Sequence, residues 1–147
     1  MTATANKSGL IQRVEIAQAT LDRWNDRPFK WGIADCVRLA ACHLRRMGHP
    51  VRLPASGSYG SLRTAKRRLD ERGFANLMEA IDSFGFDRIA PAMGLPGDLI
   101  LWPSADDLGS LAVVLSNGRC AGFHEDLRGV GVIHPTEYLA AWRVPIP

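Results

Sequence analysis

The stretch "RPFKWGIADCVRLAACHLRRMGH", residues 27–49, sets a cysteine directly after an aspartate where an apolar helix is about to begin. A thiol attacks carbonyl carbon as its thiolate. The first turn of a helix, with its unpaired amides and positive dipole end, favours that charge. Cys36 in this position is therefore a candidate nucleophile, but the same position also suits a small buried side chain, because free cysteines are commonly core residues. A nucleophilic site needs a base within reach. His124 and His134, both in the second half of the chain, are the candidates. His43 and His49 in "CHLRRMGH" match no metal-ligand spacing and read as surface or helix C-cap residues. Cys42 falls toward the Arg38 and Arg45 side of its helix, and Cys120 lies in a strand without an acidifying neighbour. Trp31, Trp102 and Trp142 are candidate cleft walls, with one or two of them belonging to the core.

These residues have to be positioned by a helical first half and a strand-rich second half. Ile11, Val14, Ala17, Leu21 and Trp24 recur at helical spacing behind a Ser8 cap, which predicts a helix over 9–24. Asp35 is the expected N-cap of a second helix whose buried stripe is Val37, Ala40, Ala41, Leu44 and Met47, with Gly48 as its stop. Leu62, Ala65 and Leu69 mark a third helix ended by Gly73, and Leu77, Met78, Ile81 and Phe84 a fourth. After "MGLPG" the apolar period becomes strand-like, with "DLILW" (98–102) and "LAVVL" (111–115) as compact runs. Asn117-Gly118 is a hairpin turn signal leading into "RCAGF", and "VGVIHP" (130–135) reads as a further strand. "TEYLAAW" is expected to add a helical turn near the C-terminus. The expectation is one α+β domain over residues 1–147, with N-terminal helices packed on a small antiparallel sheet.

Composition narrows the function classes. The 147 residues suffice for one core, and 46% hydrophobic with 22% charged residues is the balance of a globular chain. A net charge of +3 is too weak to imply an anionic polymer. The basic run "LRTAKRRLDERG" puts Arg63, Lys66, Arg67 and Arg68 on the outside of the third helix. With no second basic cluster and no interleaved aromatic, it reads as a solvated face and not as a nucleic-acid surface. Three cysteines without a CxxC pair argue against a disulfide scaffold or structural zinc, and no cofactor or metal is expected. The N-terminus "MTATANKSGLIQR" has no apolar leader core, and no run approaches the roughly 20 apolar residues of a membrane helix. The chain is therefore expected to be made in the cytoplasm without membrane insertion.

The pattern F-x-W-G-x-x-D-C (Phe29 to Cys36) before an apolar helix, followed downstream by "PGDLILW" and a hairpin, resembles the NlpC/P60 cell-wall peptidases. Its nearest likeness is to their short branch among phage, prophage and gene-transfer-agent tail genes. That resemblance, over about residues 20–143, implies a papain-like fold and a cysteine hydrolase cutting peptide bonds of peptidoglycan. It also implies residence in a phage or phage-like virion, with tail-tip or baseplate proteins and peptidoglycan peptides as partners. Carried onto this chain, Cys36 matches the nucleophile, Asp35 the acidic residue before it, and Gly97-Asp98 the turn into the first core strand. Trp31 and Trp102 flank the implied substrate cleft. The histidine that normally opens the next strand is replaced by Ser110, and the third polar position falls near Gly122. His124 shares a strand face with position 122 but lies about 7 Å further along. Three readings stay open: a weakly active or inactive tail component that binds cell-wall peptide, an active cysteine peptidase or amidase using Cys36 with a shifted His124, and a purely structural tail adaptor.

Overall fold

The computed structural model of the protein describes residues 8–147. Residues 1–7, where the absence of a leader was read, lie outside the described residues. Four helices precede a five-stranded antiparallel sheet. Each helix begins where a short polar side chain takes up an orphan amide. In α1 (Gly9–Trp24) Ser8 accepts from the Ile11 amide, and in α2 (Cys36–Arg46) Asp35 accepts from that of Arg38. In α3 (Leu62–Glu71) Ser61 and Thr64 form a reciprocal capping box, and in α4 (Leu77–Asp82) Asn76 accepts from Glu79.

The strands are β1 (Leu99–Trp102), β2 (Ser110–Ser116), β3 (Arg119–Gly122), β4 (Gly131–Ile133) and β5 (Ala140–Trp142), in spatial order β4-β3-β2-β1-β5. Asn117 and Gly118 both take positive φ, 52° and 76°, which is what a two-residue turn between right-twisted strands requires. Side chains alternate across the sheet. Leu99, Leu101, Leu111, Val113 and Ala121 join α1 and α2 in the main core, while Ile100, Ala112, Val114, Cys120 and Ile133 form a smaller cluster on the other face.

One expectation about the elements is overturned. "TEYLAAW" carries no helical turn: residues 140–142 are the edge strand β5, in register with β1 (Leu99↔Trp142, Leu101↔Ala140). Two alanines have little intrinsic preference for strand, so tertiary pairing decides. Trp142 is fully buried and its indole N–H donates to Asp82 at 2.8 Å, which makes it a core residue and not a cleft wall.

The turn entering β1 is held by a buried polar knot. Asp98 is wholly buried and accepts from the Leu95 amide (2.8 Å), the Val144 amide (2.9 Å), the Arg143 guanidinium (2.8 Å) and that of Arg13. Arg13 also donates to the carbonyls of Pro96 (2.8 Å) and Val144 (2.6 Å), which joins α1 to both ends of the sheet half. His43, expected on the surface or at a cap, is buried beside this knot. It lies on the inner side of α2, where it links two elements. The Gly97 carbonyl can only accept, so His43 Nε2 carries the proton (2.8 Å), and Nδ1 accepts from the Thr20 hydroxyl (2.8 Å). His49 is half-buried, with Nε2 at 2.5 Å from the Pro145 carbonyl.

Burial is the main reason the His43 pKa falls from 6.5 to about 4, with the charges of Arg13 and Arg46 adding to it. Between those two pH values the unfolded chain binds more protons than the folded one. Stability held by neutral His43 is thus complete above about pH 6.5 and is lost as pH falls through about 4, a change of about 3 kcal/mol. Urea unfolding across pH 7 to 4 should show this slope, and it should be absent from His43→Gln.

Candidate functional site

The tip of α2 is built around a buried carboxylate. Asp35 Oδ1 accepts from the Arg38 amide (2.9 Å), while Oδ2 accepts from the Gly32 amide (2.9 Å) and the Tyr59 hydroxyl (2.7 Å). Gly32 has φ +76°, and a Cβ there would lie 2.1 Å from the Tyr59 carbonyl oxygen, so the close pass of two chain segments admits only glycine. This is the physical content of Trp31-Gly32 ahead of Asp35-Cys36: the glycine lets the loop fold back so that one carboxylate ties it to the helix. Tyr59 was not singled out from the sequence. Its only signal is an aromatic inside the otherwise polar "SGSYGS" loop. Burial and the neighbouring Asp35 push its hydroxyl pKa above the usual value.

Cys36 is the first residue of α2, as expected, but its side chain is only 5% exposed. Burial pushes the thiol from 9 up to about 12, and the charges of Asp35 and Asp106 push the same way. The Leu111 backbone and the Ser110 side chain bond to the sulfur and pull in the opposite direction without prevailing. A rise from 9 to about 12 disfavours the thiolate by about 4 kcal/mol. The helix tip offers a charge at most about 2 kcal/mol in partly buried geometry. Desolvation wins, and Cys36 is a neutral thiol at pH 7.

Cys36 forms part of the floor of an open cleft of about 520 Å³. Phe29, Trp31, Trp102 and Phe123 supply its aromatic lining, and Ser110, Asp106 and His124 its polar groups. Phe29 packs edge-on against both Trp31 (4.9 Å between centroids) and Phe123 (5.3 Å). Trp102 is paired with Ser110 in the sheet, and its ring stacks on His124 at 5.5 Å and 14°. The structure thus brings Cys36, Ser110, Trp31, Trp102 and His124 to one cleft, with Asp35 buried beneath.

No imidazole is among the groups acting on the Cys36 sulfur. His124 Nδ1 accepts from the Asp126 amide at 3.0 Å, leaving the proton on Nε2, and its ring face is covered by Trp102. His134 is exposed and lines a second depression with Trp102 and Glu137 that does not include Cys36. Position 122 is crowded, because a Cβ on Gly122 would lie 3.0 Å from that of Ala112 and 3.1 Å from Ile133 Cδ1, and both neighbours would have to give way. Burial likewise raises the Cys120 thiol to about 12. Among the described residues no group of three or more His, Cys, Asp or Glu is arranged to hold a metal ion, and no helix is long and apolar enough to cross a membrane. On α3, Lys66 pairs with Asp107 and Arg68 with Glu71 (2.9 Å).

A family model described as a domain of unknown function (DUF6950) matches residues 12–144, a span that holds the α2 tip, the whole cleft and the Asp98 knot. No curated protein matches the chain.

Asp35→Ala would leave two backbone amides and the Tyr59 hydroxyl without their acceptor, and a loss of about 3 kcal/mol is expected. Tyr59→Phe removes one donor and should lose about 1 kcal/mol. Urea unfolding of the two variants checks both the ranking and the size.

Proposed function

The chain belongs to the DUF6950 family, a domain of unknown function; from the resemblance of its Trp31-Gly32 to Cys36 and Gly97-Asp98 to Trp102 stretches to tail-associated NlpC/P60 proteins, we propose that it is a component of a phage-type tail. In this reading it carries a papain-like domain of NlpC/P60 type at the tail tip or baseplate hub, and its cleft holds cell-wall peptide without cutting it at an appreciable rate. One observation carries the reading: Cys36 sits at the tip of α2, against Ser110 and Leu111 of β2, on the floor of an aromatic cleft, and it is held neutral there. This arrangement supports a cleft of cysteine-hydrolase type that lacks the means of activation.

The magnitudes support binding over turnover. With a pKa of about 12, on the order of one thiol in 100,000 is ionised at pH 7. Departure of an amine needs a proton donor, and a serine hydroxyl at the base position is no donor near neutral pH. Loss of the histidine base in a serine protease triad lowers turnover on the order of a million-fold. What remains is a concave surface of four aromatic rings with a few polar groups, which is what a peptide-binding site requires. The likeness of Trp31-Gly32 to Cys36, and of Gly97-Asp98 to Trp102, to the tail-associated branch supports the particle setting.

The test is incubation with purified peptidoglycan and with soluble muropeptides. Wild type and Cys36→Ala should both sediment with the wall, and neither should release muropeptides at pH 7. Titrating muropeptide should quench tryptophan fluorescence, and Trp102→Ala should weaken that binding at least tenfold. Cys36-dependent release would overturn the non-cleaving reading in favour of a peptidase. Absence of both sedimentation and quenching would overturn peptide binding. Mass spectrometry of purified particles from a host that carries the gene tests the tail placement.

A further inference from the structure

A further cavity shares Trp31, Cys36 and Leu108 with the open cleft and extends from them between α2 and α3. It holds about 270 Å³, nearly twice the roughly 150 Å³ of an apolar cavity known to take up benzene. One wall is the stripe Val37, Ala40, Ala41 and Leu44 of α2, at the spacing of a single helix face, and it runs for about 10 Å. The opposite wall is Ala65 and Leu69 of α3 with Leu77, Ile81 and Phe84 of and beyond α4. The helix α3 has a clear apolar stripe and yet not one fully buried residue; Leu62 and Leu69 reach the edge of the core, while Ala65 and Leu69 line this space. An amphipathic helix that stands off its partner by a hydrocarbon-lined gap is missing apolar contact there.

The chemistry of the lining is one-sided. Three arginines, Arg52, Arg68 and Arg72, belong to it. The only carboxylate in the lining is Asp35, which is buried and already accepts three hydrogen bonds. Arg68 is shared with Glu71, Arg72 donates to the Arg52 carbonyl, and the Arg52 side chain has no hydrogen-bond or ion-pair partner among the described residues. Guanidinium groups bind carboxylate or phosphate oxygens in pairs and do not attract cations. The geometry points to a binding site for a single unbranched alkyl chain with an anionic head group, the chain lying between α2 and α3 and the head held by Arg52 and Arg72. A partner helix would have to force that gap wider, whereas one alkyl chain fits the volume already present.

The site touches the peptide cleft at Trp31, Cys36 and Leu108, but its arginines and its α3 wall do not line that cleft, so alkyl-chain binding does not depend on whether Cys36 is catalytic. It is tested on the full chain by calorimetric titration with octanoate, decanoate and dodecanoate below their micelle concentrations. Dodecyltrimethylammonium serves as the cationic control. Saturable one-to-one binding is expected, tightening about three- to fourfold per added methylene until the cavity is full. The cationic control should bind at least tenfold more weakly. Ala65→Phe, which fills the space, should abolish binding with circular dichroism unchanged. Arg52→Glu with Arg72→Glu, both on exposed side chains, should abolish the preference for the anion without touching the core. Absence of saturable binding, affinity that ignores chain length, or equal binding of anion and cation would each overturn the assignment.

Discussion

At the tip of α2 two effects act on one sulfur atom, and their balance governs what the molecule can do. The amide-rich end of the helix, the Leu111 backbone and the Ser110 hydroxyl favour a thiolate, while removal from water opposes it. In hydrolases that use cysteine, a neighbouring imidazolium tips this balance toward the anion. Here no hydrogen bond joins an imidazole to the sulfur among the described residues, and the nearby carboxylates Asp35 and Asp106 lean the other way. The sulfur sits at a helix tip yet stays neutral, and the cleft above it presents aromatic surface with a few polar groups.

The rest of the fold serves to hold that tip against the sheet. Asp35 fastens the Gly32 loop, the Tyr59 loop and the first turn of α2 together from inside the protein. At the other end of the same helix, His43 hangs from the Gly97 carbonyl, and Asp98 gathers Arg13 and Arg143 around the turn into β1. Two buried polar clusters thus hold α2 at both ends, the first to the Gly32 and Tyr59 loops and the second to the turn into β1. Fully satisfied networks of this kind specify one arrangement, because leaving any member unpaired is costly.

Much of this was legible locally. Ser8 and the apolar spacing marked α1 to its observed bounds, Asp35 marked the start of α2, and Asn117-Gly118 marked the hairpin. What escaped depends on contacts distant in the chain. Ala140 and Ala141 become strand only because β1 offers them a ladder some forty residues away. His43 looks like a polar residue near a helix end until Thr20 and Gly97 are placed on either side of it. Tyr59 has meaning only opposite Asp35. Cys36 could be placed at a helix start from its neighbours, but its depth is set by residues such as Leu108 and Leu111, which no local pattern connects to it.

The most direct measurement is the titration of the Cys36 thiol itself, in a Cys42→Ser, Cys120→Ser background, followed by thiolate absorbance and by the pH dependence of alkylation. Cys36 should show no ionisation below about pH 10 and should react far more slowly than a free thiol at pH 7. Ionisation below about pH 7.5, with rapid alkylation at neutral pH, would contradict the neutral-thiol cleft and restore a working nucleophile.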